Sequence, residues 1–537
     1  MQLISRKGQQ SIDRVWQETT GLPLLLLMEM AAAAVCERCC QLIPAGQRTD
    51  TPVLVLAGGG QNGGDAFACA RLLSAQEFPV VCRELDPQRS LPPEADANRQ
   101  AWLNLGHTTG PVSIDEIDRL TSGLIIDGLF GTGLRADRPL PEIVLSISAA
   151  CARSRQQGTR VVAIDLPSGL DCDSGQWADG GMQADQTITF VRKKIGMATA
   201  AGRQACGEIT INRIGVSDQM VELALAQTGE PPVWQTDRDL LKPWCPPRPA
   251  DSHKGLFGKV LIWAGSRDMP GAAVLAARAA ARSGAGLVRL VCEAELQPVL
   301  ANACPDALIA IWPERQDERL RRWQQDLSWS DAVVIGPGLG ERSTTLPFLT
   351  AAATAAPRLL LDADALNTLA RSTDQTVWQR LQSRMARGLP PALLTPHPGE
   401  FRRLAPDLDL TDRLTAARTL AKRSGCLVLL KGAATVIAHP DGRVWLNATG
   451  HDGLARGGSG DILSGLAGGL MAQALSMEQA AVAAAWLHGT AAQIIGAATS
   501  RRSMLPSDLP DAFAQAFEQA GWSVGPSGRD EDRGYST

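Results

Sequence analysis

The chain has 537 residues, with 52 basic and 56 acidic side chains and a net charge of −4, so no global positive field recruits nucleic acid or an anionic membrane. Apolar residues make up 45%, which is enough for real cores and excludes a disordered chain. One Tyr beside thirteen Trp and nine Phe leaves few platforms for stacking single-stranded bases.

The N-terminal MQLISRKGQQSIDR is polar, and the first apolar run, Leu22 to Met28, comes too late and is too short for a signal peptide. Short β-rich runs then alternate with helical segments. Val53–Ala57 precedes Ala66–Leu73, Leu124–Ile126 ends at Asp127, and Val161–Ile164 ends at Asp165. Residues 230–253 hold six prolines and read as a linker. Beyond it the alternation resumes: Val260–Ala264 before Ala272–Ser283, then Leu287–Val291, Ala332–Ile335, Leu359–Leu361 and Leu427–Leu430. A long Ala-rich helical region begins at Asp461, and its charge-free part, Ala480 to Ser500, reads as a buried or amphipathic helix. This pattern predicts two α/β domains with doubly wound parallel sheets, residues 1–230 and 254–520, joined by 231–253 and followed by a disordered tail at 521–537. In such sheets ligands bind beyond the carboxyl ends of the strands.

Twelve cysteines include a C-x-x-C-C at Cys36, Cys39 and Cys40, but no second pair accompanies it. Nine lie before residue 246 without regular spacing, which points to structural thiols in a reducing, cytoplasmic setting.

In the first half, VLVLAGGGQNGGDAF contains Gly58, Gly60 and Gly63 in a G-x-G-x-x-G, with Glu84 placed 21 residues beyond Gly63. Backbone N–H groups at such a helix start suit a pyrophosphate, as in a dinucleotide dehydrogenase. Asn62 and Asp65 put an amide and a carboxylate into the same loop, which suits a sugar, a cation or a reacting centre better. Asp127 opens DGLFGTGL, and Asp165 opens DLPSGLD, which contains Ser168. These groups either hold a hard cation through oxygen or cap the turns that follow.

NGGD at 62–65, DGLFGTGL at 127–134, DLPSGLD at 165–171, TITF…KKIG at 187–196 and the early LMEMA at 27–31 resemble the YjeF N-terminal domain. That family interconverts the R and S forms of hydrated NADH or NADPH, written NAD(P)HX, on a Rossmann-like three-layer fold. The resemblance implies substrate contacts from Gln61, Asn62, Gly63, Gly64 and Asp65, from Gly131, Thr132, Gly133, Leu134, Arg135, Ala136 and Asp137, and from Asp165. It also implies a potassium site at Asn62, Asp127 and Ser168, with Asp127 doubling as acid/base catalyst. Gln61 stands where the family usually has Asn, one methylene longer but still an amide, and Ala66 where it has Gly.

In the second half, GGSGDILSG at 457–465 puts small residues at a helix start whose dipole favours anions. Asp461 there can take a hydroxyl proton beside a nucleotide phosphate, or simply stabilise the first helical turn. LLKGAAT at 429–435 ends a strand at Lys431, TPHPGE at 395–400 carries His397 and Glu400, and GPGLG and DADAL end two more strands. With KGLFG at 254–258 and GSRDMPGA at 265–272, these seven motifs resemble, in order, the YjeF C-terminal domain. That family is an ADP/ATP-dependent NAD(P)HX dehydratase with a ribokinase-like fold. The resemblance implies hydrate binding near Ala272, Gly338, His397 and Asp461, and nucleotide binding by Lys431, Gly432, Ala433, Ala434, Thr435 and Gly460. His451-Asp452 replaces the usual Asn-Pro before the last motif.

The two resemblances together imply a bifunctional NAD(P)H-hydrate repair chain. It would use K+ in the first domain and Mg2+ with ADP as phosphoryl donor in the second, as a homo-oligomer, a tetramer, in the cytoplasm. The alternative is a ribokinase-like vitamin or small-molecule kinase fused to a nucleotide-binding domain, which would share the G-S-G-D aspartate.

Overall fold

The computed structural model describes residues 1–135, 137–249, 251–340 and 345–522. Ala136, one of the candidate loop residues, and most of the expected tail lie outside the described residues. The chain forms two compact units, one of Gln2–Val233 and one from Trp234 onward that also takes in Met1.

The first unit is built on six strands: β1 (Val53–Ala57), β2 (Val80–Glu84), β3 (Leu124–Gly128), β4 (Arg160–Ile164), β5 (Gln186–Phe190) and β6 (Glu208–Asn212). They lie in the order β2-β1-β3-β4-β5-β6, all parallel. Strands buried on both faces are predominantly apolar, and β1 is apolar and buried from Val53 to Ala57. Val53, Val55 and Ala57 face one hydrophobic layer, while Leu54 and Leu56 face the other. The strand order reverses at β1, so the crevice where ligands bind in such sheets opens between the ends of β1 and β3. Register sets Asp127 beside Leu56 on one side and Ala163 on the other, at that opening.

The helix after β1 starts at Gln61, five residues earlier than the hydrophobic pattern suggests. Gly60 in extended conformation caps it, and its carbonyl accepts from Gly63 and Gly64 N–H groups, so NGGD forms a first helical turn rather than a loop.

In the second unit nine neighbouring strands of an eleven-stranded sheet run in the order β15-β14-β13-β12-β11-β10-β7-β8-β9. They are β7 (Lys259–Trp263), β8 (Leu287–Cys292), β9 (Leu308–Ile311), β10 (Ala332–Ile335), β11 (Leu359–Leu361), β12 (Leu393–Leu394), β13 (Leu427–Leu430), β14 (Thr435–Ala438) and β15 (Val444–Asn447). The sheet is parallel from β9 to β13, then closes with an antiparallel hairpin, β14 and β15, that the alternation of strands and helices does not announce. Val260 and Ile262 face one core layer and Leu261 the other, so helices cover both faces. Trp263, the last residue of β7, sits in an aromatic cluster with Trp312, Trp323 and Phe348, ring centroids 5.3–6.4 Å apart.

The proline-rich stretch is more than connector. Asp237 caps the helix Arg238–Leu241 through Leu240 N–H, Leu241 is fully buried, and its carbonyl accepts from the Trp522 indole at 2.8 Å. The helix Met477–Ala498 is long and apolar enough to cross a membrane, yet Met477 and the residues from Ala480 to Ala492 are buried in this unit. All twelve cysteines are unpaired thiols, ten of them buried.

Candidate active sites

In the first unit the residues at the ends of β3 and β4 gather around one peptide. Ser168 Oγ donates to Asp127 Oδ1 at 2.6 Å, and the Ser168 and Leu129 N–H groups donate to Oδ2 and Oδ1 at 2.8 and 3.2 Å. Phe130 N–H donates to Ser168 Oγ at 3.0 Å, and Phe130 carbonyl accepts from Asn62 Nδ2 at 3.1 Å. Asn62, Asp127 and Ser168 are thus brought together, and Asn62 turns its Oδ1 toward Gly131. Such closeness requires glycine: a Cβ on Gly58 would stand 1.8 Å from Leu129 carbonyl, and one on Gly63 1.8 Å from Gly58 carbonyl.

Asp127 is fully buried. Burial pushes its carboxyl up, and the bonds from Ser168 and Leu129 pull it back. With both oxygens accepting, Asp127 anchors the 128–131 turn.

A second group lies at the end of β4. Asp165 sits in the left-handed region (φ +63°), a strained position for a residue with a side chain. Its Oδ1 is 2.6 Å from Nζ of the fully buried Lys194 and accepts from Thr189 Oγ1 at 2.8 Å. Lys194 also donates to Thr189 Oγ1 and Phe190 carbonyl, both at 3.0 Å. Asp65 is raised well above the ordinary carboxyl range by burial, and the charges of Asp165 and Asp13 add to the effect. Asp65 and Asp165 are therefore brought together with two groups that motif reading passed over, Lys194 and Asp13. Lys194 stood in the KKIG motif, and Asp13 had no signal beyond its place in a polar N-terminus.

The other residues expected on the first site spread around it. Gly63 and Gly64 are buried in the helix packing. Gln61 is exposed and donates to Glu94 at 3.2 Å. Gly131, Thr132 and Leu134 are half-buried, whereas Gly133, Arg135 and Asp137 are exposed on the rim. Glu84, the acid of the dinucleotide fingerprint, is engaged with Arg99 through both oxygens at 3.1 Å, which removes it from ribose recognition.

In the second unit, Lys431 follows β13 and Asp362 follows β11, with β12 between them. Lys431 Nζ is 2.8 Å from Asp362 Oδ1, and Ser464 Oγ donates to Oδ2 at 2.7 Å. Asp362 is buried, and the chain leaves it through Ala363 in the left-handed region (φ +45°). Burial pulls the Lys431 ammonium down, but Asp362 and Glu400 outweigh it and hold it above its ordinary value.

Asp461 lies in the first turn of the helix Ser459–Ala472, which starts at Gly458 with φ +100°. Burial and the charge of Asp362 push its carboxyl up to about 7, Lys431 opposes them, and Asp364 and Glu400 add to the rise. A Cβ on Gly460 would stand 3.2 Å from Lys431 Nζ and 3.8 Å from Asp362 Oδ2, so a larger residue would crowd the ion pair. Lys431, Gly460 and Asp461 thus form one constellation around Asp362, a residue whose DADAL motif was legible but whose central position was not.

Ala272 and Gly338 meet directly: Gly338 has φ +61°, and a Cβ there would fall 2.6 Å from Ala272 Cβ. Gly340 N–H ties the same loop to Asp364 Oδ2 at 2.8 Å. His397 caps its own helix, Pro398–Leu404, its Nδ1 accepting from Gly399 and Glu400 N–H groups at 2.9 and 3.3 Å. Partial burial, Lys431 and Arg403 lower its pKa and keep the half-exposed ring neutral. The turn 431–435 leads into the β14 hairpin. Gly432 and Ala433 are exposed, Ala434 is buried, and Thr435 Oγ1 donates to Gly432 carbonyl at 3.1 Å. Arg413, with no motif to mark it, fixes this turn by donating to Leu430 and Lys431 carbonyls at 3.2 and 2.9 Å. His451, in the usual Asn position, caps the turn Asp452–Leu454 through Gly453 N–H at 3.0 Å.

A near-neutral carboxyl beside a lysine and a helix start can accept a hydroxyl proton while the lysine and backbone N–H groups steady a phosphoryl group.

Residues 260–515 match the family model of NAD(P)H-hydrate dehydratase, and residues 25–196 match that of the YjeF-related protein N-terminus. The chain is 35% identical over 506 residues to the bifunctional NAD(P)H-hydrate repair enzyme Nnr of Escherichia coli (strain K12), covering 93% of this chain and 90% of that protein. It is 37% identical over 482 residues to the protein of the same name from Gloeobacter violaceus, covering 89% and 90%. Among solved structures, the Bacillus subtilis ADP/ATP-dependent NAD(P)H-hydrate dehydratase, co-crystallised with ATP and Mg2+, is 30% identical; the match covers 54% of this chain and 99% of that one, with a TM-score of 0.47. The chain belongs to the bifunctional NAD(P)H-hydrate repair enzyme family.

Proposed function

We propose that this chain restores hydrated nicotinamide cofactors in two steps: the first unit interconverts the R and S epimers of NADHX and NADPHX, and the second dehydrates the S epimer with ADP. The observation that carries the reading is Asp461, held near neutrality at a helix start beside Lys431 and Gly460. Family membership supports both activities.

The hydroxyl at C6 of the hydrated nicotinamide ring is a poor leaving group. Asp461 takes its proton as the oxygen attacks the β-phosphorus of ADP, and the bond from that phosphorus to the bridging oxygen breaks, releasing AMP. Loss of the new phosphate from C6, with a proton from C5, restores the dihydronicotinamide. Lys431 and the N–H groups at the start of Ser459–Ala472 stabilise charge on the transferred group. Ala272, Gly338 and His397 line the hydrate side, and the 431–435 turn lines the nucleotide side.

Among the described residues no cluster of three or more His, Cys, Asp or Glu side chains could hold a metal, so Mg2+ would enter on the nucleotide's phosphates, where it would neutralise their charge. The oxygens of Asn62, Asp127 and Ser168 fit K+, which would offset the buried Asp127 charge. We further infer a cytoplasmic homo-oligomer; the twelve free thiols agree with a reducing compartment.

The test is purified protein on mixed R and S hydrates with ADP or ATP, with and without potassium. Consumption of both epimers, with AMP formed from ADP, is expected. A plateau at the S fraction would remove the epimerase, and a stable phosphorylated product would favour the kinase alternative.

A further inference from the structure

The stretch before residue 25 lies outside the matched part of the N-terminal family model, yet it is stitched into the first site. Ile4 pairs with the backbone around Lys194: its N–H donates to Lys193 carbonyl at 3.1 Å, and its carbonyl accepts from Ile195 N–H at 3.1 Å. Ser5 then caps the helix Arg6–Thr20 through Gly8 N–H at 2.9 Å. Arg6, Gln9 and Asp13 are spaced i, i+3 and i+7, so they share one helix face. Gln9 donates to Asp13 Oδ1 at 2.8 Å, and Asp13 senses the charges of Lys194 and Asp165.

Arg6 itself is the link to the substrate loop. Its Nε donates to Thr132 carbonyl and its Nη2 to Leu134 carbonyl at 2.5 Å, while Nη2 also lies 3.4 Å from Asp171 Oδ2. Its own backbone N–H is fixed by Asp173 Oδ1 at 2.7 Å. A trans peptide carries its N–H opposite its C=O. With the 132 and 134 carbonyls drawn to the guanidinium, the N–H groups of Gly133 and Arg135 point away from it. Two such donors, with one residue between them on an exposed rim, suit the oxygens of a diphosphate.

We propose that Arg6 is a positioning residue of the N-terminal site: by holding the Thr132 and Leu134 carbonyls it aims the Gly133 and Arg135 N–H groups at the diphosphate of the hydrated dinucleotide. This rests on the epimerase reading above. Arg rather than Lys is required, because one planar fork must serve two carbonyls at once.

The test uses full-length protein with ADP and mixed epimers of NADHX, so that turnover of the S epimer in the second unit serves as internal control. R6Q is expected to raise KM for the R epimer about tenfold, as the Gly133 and Arg135 donors lose their aim, with kcat changed less than about twofold. R6K, which keeps the charge and reaches one carbonyl, is expected to fall between R6Q and wild type and covers the case in which R6Q does not fold. Arg14, on the same helix, instead donates to Gln227 at 2.9 Å, so R14Q is expected to match wild type. Inorganic pyrophosphate is expected to compete with the R epimer in the wild type and about tenfold more weakly in R6Q. An unchanged KM in R6Q, an R14Q effect equal to that of R6Q, or a loss in kcat alone would overturn the assignment. A wild-type protein that leaves the R epimer untouched would overturn the epimerase reading itself.

Discussion

Lys431 reaches Asp362 across an intervening strand, with 2.8 Å between Nζ and Oδ1, and the same lysine opposes the upward push on Asp461. A buried carboxylate thus keeps a lysine charged next to a carboxyl that needs to shed and take a proton. Because Asp362 is also bonded to Ser464, the pair is fixed in place.

The first consequence is a pH profile. A base with a pKa of about 7 is half ionised there, so kcat/KM for S-epimer dehydration is expected to rise between roughly pH 6 and 8 and to level off above. D461N is expected to lower kcat by at least ~100-fold at every pH, measured by recovery of near-ultraviolet cofactor absorbance. A D461N protein retaining wild-type turnover would remove the assigned base.

Replacing the lysine shifts that profile. Lys431 lowers the Asp461 pKa, so in K431M the carboxyl titrates higher and the rising limb moves to more alkaline pH, with a lower plateau. Titrating K431M turnover from pH 6 to 9.5 checks the direction; a shift toward acid would contradict it.

Stability should move the opposite way from activity. The folded-state pKa of Asp461 lies above its ordinary value of 3.8, so the folded chain holds an extra proton; the associated stability is complete below that value and is lost as pH rises through about 7. D461N has no such proton to lose. Its thermal midpoint relative to wild type is therefore expected to rise from pH 5 to pH 8 in paired calorimetric scans.

In the first unit, D127N keeps the shape but turns one acceptor into a donor facing Ser168 or Leu129. Epimerisation is expected to fall at least tenfold and to lose its response to potassium, while dehydration of the S epimer is retained. Stopped consumption of both epimers would instead point to a general folding defect.

Trp323 is fully buried within the aromatic cluster under β7, and its indole donates to Phe348 carbonyl at 3.0 Å. Truncation to Ala removes that packing and the indole hydrogen bond, so W323A is expected to lose ~3–5 kcal/mol on denaturant unfolding of the second unit. A loss under ~1 kcal/mol would show that the cluster can collapse around the gap.

Strand cores and motif positions were legible because strands buried on both faces are predominantly apolar and the ligand-facing polar groups gather at their carboxyl ends. Val53–Ala57 and Ala332–Ile335 were found with the bounds the structure gives them. Roles within the sites were harder to read. Asp127 and Asp461 look alike in sequence, each an aspartate in a glycine-rich stretch, but three hydrogen bonds occupy the first, while the second faces Asp362 and Lys431. The Asp362–Lys431 pair joins residues 69 positions apart, and the Arg6–Thr132 bond joins residues 126 apart. Local patterning carries no trace of either. The β14–β15 hairpin was missed for a similar reason: its short runs follow Lys431 directly, where a helix would keep the alternation going.

The left-handed turn at Ala363 makes a trade-off visible. Glycine would adopt φ +45° without the strain a Cβ brings, worth about 1 kcal/mol to the fold. A laboratory selection for heat tolerance alone should therefore enrich A363G. It should do so at the expense of the stiffness that keeps the neighbouring carboxylate aimed, leaving a hardier protein with a slower repair cycle.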